Sequence, residues 1–439
     1  MKRRQFIKHV AQAAAAVSTV SAFSADRVIG ANDRVNVALI GCGGRGRLVS
    51  RLMREAPNVD VVAVCDVYEP AAGSAKAWAG PAAKSFRDFR NVLDLKEVDA
   101  VIVATPDHWH AIPTVLACRA GKDVYVEKPL GHTIREGRAM VEAARLHKRV
   151  VQAGMQHRSA PHYKEIEGII QSGKIGDVHF VRVWNYSTIY TGETAPPDSE
   201  PPEGLDWGFY LGPAPKVPYN RLRFRVYRRF YDYSGGFITD FGAHRLDSVH
   251  QVMHDDKPLS ATGVGGVYGN LGIVDTPNVL HVTYEYRNWV LSYEGVQING
   301  FGTGPRLPGG RVPYNASGGF DRPHGEAFYG TNGTIVSDRV GYELFPTGRG
   351  GSVEPKSVVG RDCTDLHARN FIDCVRSRAR PLADVETGHK STIVPHLGNI
   401  SYKIGGRKIR WDPENEQILD DPQASALLAR SGRKPWDLI

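Results

Sequence analysis

One short turn restricts this chain more than any other stretch. Gly41-Cys42-Gly43-Gly44-Arg45-Gly46 follows the apolar run Val35-Asn-Val-Ala-Leu-Ile40 and leads into a helical stretch. In a Gly-x-Gly-x-x-Gly turn between a buried strand and a helix, the first glycine permits the tight bend and the second lets backbone approach a pyrophosphate. The third lets the helix pack closely on the strand, so that its N-terminus faces the phosphates. The next apolar run, Val59–Cys65, is followed by Asp66. A carboxylate there accepts hydrogen bonds from a ribose diol and repels a 2'-phosphate, so the expected ligand is NAD. Arg45 and Arg47 lie close by in sequence and keep NADP open as the alternative.

Around this turn, apolar runs alternate with helical stretches. Further strands are expected at 100–104, 124–126 and 150–151, and helices at 48–54, 111–120 and 134–147. That alternation specifies an α/β fold with a doubly wound parallel sheet, here a Rossmann domain over residues 33–155. Beyond it, strands at 178–185, 279–286 and 289–293 sit among aromatic-rich loops with many Gly and Pro. They imply a second α/β domain over 156–410 with an open, mostly antiparallel sheet. Helix returns at 365–404, and 411–439 reads as a polar tail. Loops 191–219 and 299–319 exceed what connection requires and are the expected seat of substrate specificity.

The formal charge of +8 suggests nucleic acid until its location is considered. Lys2, Arg3, Arg4 and Lys8 carry half of that excess in a first segment without acids, and no long basic run follows. The Arg3-Arg4 pair, then Phe6-Ile7-Lys8 and an Ala-rich apolar stretch, match a twin-arginine export signal over residues 1–31, with an ordinary secretory signal or a basic helix as the alternative; the stretch is too short and weakly apolar for a membrane span. A periplasmic or otherwise exported protein is expected, not an integral membrane protein. Five cysteines without Cys-x-x-Cys spacing argue against a disulfide framework and suit a chain that folds before export.

Ligands of open parallel sheets bind at the carboxyl ends of the strands. The third expected strand ends in Thr105-Pro106-Asp107-His108-Trp109-His110 and the fourth in Glu127-Lys128-Pro129. Thr105, Pro106, His108, His110 and Glu127 are therefore cofactor candidates, and the two histidines are read as partners of ribose or pyrophosphate rather than as metal ligands. Lys128 faces the nicotinamide edge, where burial beside a cationic ring should lower its pKa. Asp240 and His244 stand four apart, so one helix face would let the carboxylate orient the imidazole. Gln156 and Arg158 are placed to touch cofactor or substrate, and Trp184 and Tyr186 to stack on a sugar ring. The run 221–233 interleaves Arg with Phe and Tyr; a pocket or subunit-contact loop is preferred there over single-stranded nucleic acid.

Together, the glycine turn, Thr105-Pro106, Glu127-Lys128-Pro129 and Asp240-x-x-x-His244 closely resemble the Gfo/Idh/MocA family of sugar and inositol oxidoreductases, over roughly residues 35–402. The resemblance implies that Lys128, Asp240 and His244 form the catalytic group, with either Lys128 or His244 as the base. It also implies a sugar or glycoside as small-molecule partner and a homo-oligomer, dimer or tetramer. Export adds a condition, because no free NAD pool is expected outside the inner membrane: the cofactor must stay bound and be regenerated in place. Alternating oxidation and reduction of two substrates meets that condition. So does NAD-dependent glycoside cleavage through a transient keto-sugar, but glycosidases of this kind depart from the Glu-Lys-Pro signature. A non-catalytic sugar-binding protein is the remaining alternative.

Overall fold

Six strands, β1 (Val35–Ile40), β2 (Val59–Cys65), β3 (Lys84–Phe86), β4 (Ala100–Val103), β5 (Asp123–Val126) and β6 (Val151–Ala153), pair in parallel in the order β3-β2-β1-β4-β5-β6. This is a computed structural model, and it describes residues 34–189, 194–269, 272–302, 322–347 and 353–436. The signal segment 1–31 and most of the loop 299–319 lie outside the described residues. Helices on both faces bury the sheet, which is why its central strands read as continuous apolar runs. Only β3 escapes the sequence pattern, being a three-residue edge strand with Lys84 and Ser85 exposed. The helix Gly44–Arg54 begins inside the glycine turn, earlier than apolar spacing suggests, because Gly43 is its N-cap.

The second sheet contains eleven described strands. They are β7 (Val178–Thr188), β8 (Ser260–Gly266), β9 (Val279–Glu285), β10 (Val290–Val296), β11 (Ile298–Asn299), β12 (His324–Gly330), β13 (Gly333–Asp338), β14 (Gly341–Pro346), β15 (Lys356–Val359), β16 (Ile409–Asp412) and β17 (Gln417–Leu419). Their order is β15-β14-β13-β12-β7-β10-β9-β8-β16-β17, with β11 on β7; every described pair is antiparallel except β7–β10. Alternation along β7 turns Val181 and Val183 into a core shared with Tyr163, Ile166, Leu246 and Leu397 of the covering helices.

Two segments return to the first sheet. The helix Thr364–Ser377 buries Phe371 and Ile372 against Val37 and Val49. The end of the chain is not a free polar tail: β16 and β17 join the second sheet, and Trp436 is buried against Trp109 and Phe209. Trp411, Ile418, Ala424 and Leu428 join the core of the second domain, so buried apolar side chains dock a stretch that is otherwise polar. All five cysteines are buried thiols. No described helix is long and apolar enough to cross a membrane.

Candidate active site

The glycines of the turn answer to different neighbours. Gly41 has φ +92°, and a Cβ there would lie 2.6 Å from the Ala104 backbone; at Gly46 it would lie 2.2 Å from the Gly41 carbonyl oxygen. Those two are demanded by the fold. A Cβ at Gly43 or Gly44 would meet nothing within 4 Å, so only a ligand over the turn requires their smallness. Beside them, Asp66 accepts from the backbone N–H groups of Cys42 (2.7 Å) and Tyr68 (2.9 Å), which fixes its carboxylate at the end of β2. Burial pushes its pKa up, and these amides oppose that shift.

A cavity of about 440 Å³ opens over this floor, lined by Gly41, Gly43, Gly44, Asp66, Thr105 and Pro106. Thr105 Oγ1 is buried without a protein partner. An uncapped helix N-terminus, two ligand-facing glycines, an anchored carboxylate and an orphaned hydroxyl fit the pyrophosphate and ribose of a dinucleotide. Burial pushes the Cys42 thiol well up, so it is no nucleophile.

At the other end of the cavity stands Arg228, whose Nε donates to Asp240 Oδ2 at 2.8 Å. The second oxygen of Asp240 pairs with Lys128, whose Nζ also donates to the Asp240 carbonyl at 3.0 Å. Burial alone would raise the Asp240 pKa; Arg228 and Lys128 outweigh it and hold it at about 2. Asp240 lies on a π-helical turn, Ile238–Gly242, which runs directly into the helix Ala243–Met253 bearing His244. The expected Asp240–His244 orientation is not what forms: the carboxylate is taken by the two cations, and His244 Nδ1 is buried without a partner. What holds the imidazole is stacking on His157 (centroids 5.1 Å, 28°), itself stacked on Tyr163 and bonded through Nδ1 to Ser248 Oγ at 3.0 Å. Burial, then the neighbouring Lys128 charge, pushes the His244 pKa well below the ordinary histidine value.

The other expected residues divide. Arg45 stays on the cavity wall, but its guanidinium is engaged by Glu127 Oε1 (2.7 Å) and Gln156 Oε1 (3.2 Å). Glu127 and Gln156 thus position Arg45 instead of lining the cavity. Burial would raise the Glu127 pKa; Arg45 and Lys128 reverse that and leave it below the usual carboxylate range. His108 and His110 do not line the cavity either. His108 Nε2 lies 2.9 Å from the Tyr210 carbonyl oxygen, and the His110 ring sits between the carbonyls of Pro129 (2.7 Å) and Thr105 (3.0 Å), joining two strand-end loops.

Three substrate candidates lie elsewhere. Arg158 pairs with buried Asp247 (2.8 Å). Trp184 and Tyr186 occupy the sheet face opposite Val181 and Val183, where Trp184 Nε1 donates to the Arg322 carbonyl and the Tyr186 hydroxyl to Glu294. Strand alternation fixes that outcome, since a residue cannot share a face with its neighbour. Sequence reasoning missed Arg228 and His157. The Arg- and Tyr-rich run 221–233 did mark a pocket loop, without singling out the arginine.

A parallel six-stranded sheet with a dinucleotide cavity at its strand ends, and a Lys–Asp–Arg cluster with a histidine beside it, define a Rossmann-type oxidoreductase class. The model for the NAD-binding Rossmann fold of the Gfo/Idh/MocA oxidoreductase family matches residues 35–155, and that for the family's C-terminal alpha/beta domain matches 161–265 and 361–438. The chain belongs to this family. It is 25% identical over 258 residues to the uncharacterized oxidoreductase YrbE of Bacillus subtilis, covering 57% of this chain and 64% of that one. To inositol 2-dehydrogenase of Salmonella typhimurium it is 34% identical over 159 residues, 36% of this chain and 47% of the relative. The chain thus spans about half to two thirds of these curated relatives. Among solved structures, levoglucosan dehydrogenase in complex with NADH and levoglucosan superposes with TM-score 0.64 at 18% identity, over 86% of this chain and 99% of that one. GenD2 from gentamicin A biosynthesis in complex with NAD gives 0.63 at 20% identity, over 86% and 97%. At such identities the likeness is one of fold.

Proposed function

We propose that this chain is an NAD-dependent oxidoreductase acting on a hydroxyl-bearing carbon of a sugar or polyol, with its cofactor retained through turnover. The observation that carries the reading is the Asp240 carboxylate shared by Lys128 and Arg228 beside an imidazole kept neutral. When bound, the dinucleotide supplies a nicotinamide ring that accepts a hydride from the carbinol carbon. His244, its pKa lowered and its ring held by stacking on His157, takes the hydroxyl proton. Lys128 spends two of its three N–H donors on Asp240 and has one left for the substrate oxygen. This arrangement favours His244 over Lys128 as the base, since an ammonium clamped by a carboxylate has no lone pair to offer. Asp66 selects NAD over its 2'-phosphate form. The relatives named for inositol and levoglucosan support a cyclic polyol or sugar as the substrate class. Cofactor retention follows from the export signal, which sends a folded, loaded protein to a compartment without free NAD.

The test is to present the as-purified protein, without added cofactor, to a panel of sugars, polyols and glycosides, following reduced-nicotinamide absorbance and product mass together. One stoichiometric burst, reset by a keto-sugar, is expected. Cleavage of a glycoside without net reduction would replace this reading with the keto-sugar lyase route, and silence across the panel would leave a binding protein.

A further inference from the structure

The cavity over the glycine turn has a roof as well as a floor. Phe209, Tyr210, Phe224, Arg225, Tyr227 and Arg228 form its opposite wall, and all six come from residues 204–230, which follow the second sheet's first strand. This strap is fastened at both ends and in the middle. At one end Leu205 forms an isolated antiparallel bridge with Tyr68, flanked by Glu69 N–H to the Gly204 carbonyl and Asp206 N–H to the Val67 carbonyl, both 2.9 Å. In the middle the His108 and Trp109 ring nitrogens converge on the Tyr210 carbonyl at 2.9 and 2.8 Å. At the far end Arg228 is tied to Asp240.

The chain's last described residues clamp the strap from outside. The Arg433 guanidinium donates to the carbonyls of Gly208, Gly212 and Ala214 at 3.1, 3.0 and 3.3 Å. Trp436 stacks on Phe209 (centroids 5.2 Å, 14°) and meets Trp109 edge-on at 4.8 Å.

We infer that residues 204–230 enclose the dinucleotide and that its release requires this strap to lift. The inference rests on the dinucleotide reading of the cavity proposed above and adds the element that sets the exchange rate. The first arm lies over the adenosine end, because Phe224 packs edge-on against Tyr68 (5.6 Å), two residues from the ribose-binding Asp66. Arg225, exposed and without a hydrogen-bond or ion-pair partner among the described residues, stands there as a cation for the phosphate or ribose edge. The second arm reaches the reacting end through Arg228. A ligand held on one side by backbone amides and on the other by aromatic rings leaves only when the ring wall moves, and that wall is held by contacts to three separate parts of the chain. Lifting it is a local unfolding event, slower than diffusion out of an open groove. His108 thus takes part in retention without touching the cofactor: it fastens the roof.

The experiment locks and loosens the strap in the full chain. Antiparallel bridge partners lie within disulfide reach, so a Tyr68→Cys/Leu205→Cys variant can be closed by oxidation and reopened by dithiothreitol. The native thiols are buried and compete little. Protein loaded with NADH is mixed with excess NAD⁺, and loss of bound nicotinamide fluorescence gives the dissociation rate. Oxidation is expected to slow release at least tenfold relative to the same protein reduced, with wild type indifferent to the reductant. In a second variant, Arg433→Ala/Trp436→Ala, release is expected to speed up at least fivefold while circular dichroism stays native. Equal rates for oxidised and reduced protein, or an unchanged rate in a natively folded clamp variant, overturn the strap. Wild-type protein that takes up no NADH at saturating concentration overturns the cofactor reading beneath it, a result distinguishable from either.

Discussion

The floor of the dinucleotide cavity and its roof are built by different kinds of sequence. The floor is local: Gly41 to Gly46 and Asp66 sit on two neighbouring strands, and steric demand alone explains Gly41 and Gly46. The roof is remote, its aromatic and basic side chains arriving from residues 204–230 and held by His108, Trp109 and Arg433. A floor of backbone amides recognises phosphate in any protein that carries the turn. Asp240 is where the two meet, with one oxygen on Lys128 from the first sheet and the other on Arg228 from the roof.

Breaking that joint should have the largest effect. Asp240→Asn leaves the buried Lys128 ammonium without its counter-ion, and loss of one partner of such a pair costs about 3–5 kcal/mol. Chemical denaturation should show a loss of that size, together with faster cofactor release because Arg228 is freed. Lys128→Met keeps the floor and roof while removing the donor to substrate, so hydride transfer should fall about 10²- to 10⁴-fold in single-turnover measurements while NAD stays bound. Retained turnover would remove Lys128 from the chemistry.

Within the floor, two glycines should separate cleanly. Gly46→Ala drives a Cβ into the Gly41 carbonyl and should destabilise the fold by about 1–3 kcal/mol. Gly43→Ala, with φ −65° and open space around it, should leave the melting temperature unchanged and weaken NAD binding about tenfold, or ~1.4 kcal/mol. A loss of stability at Gly43 would mean that the turn serves the fold alone. The smallest effect should be that of pH. In the proposed mechanism His244 acts in its neutral form, and its pKa is lowered, so protonation begins only below the ordinary histidine range. Alcohol oxidation should therefore be level from neutral pH down to about 6 and fall only in more acidic solution, whereas a group titrating at the usual value of about 6.5 would already cost roughly three quarters of the rate there.

The same contrast explains what could be read from sequence. β1, β2, the glycine turn and the strand-end loops carrying Thr105 and Lys128 are periodic or punctuated within a few residues, and they stand where the sequence pattern puts them. Short polar β3 has no such signal. The Asp240–His244 spacing misassigned the bond that Asp240 makes, because the cations that capture Asp240 lie 112 and 12 positions away and a π-turn intervenes. Trp184 is a different case: alternation puts it on one of two faces, and nothing in the strand's own sequence says which face meets the helices. His157 and Arg228 belong to the site only through stacking and pairing across the fold.

The clamp on the strap also sets an order in time. The Rossmann strands are complete once residue 153 has been made, whereas Trp436, which wedges Phe209 against Trp109, is made some 280 residues later. At ordinary translation speeds of ~5–20 residues per second, roughly 15–55 s pass before the clamp on the strap can close.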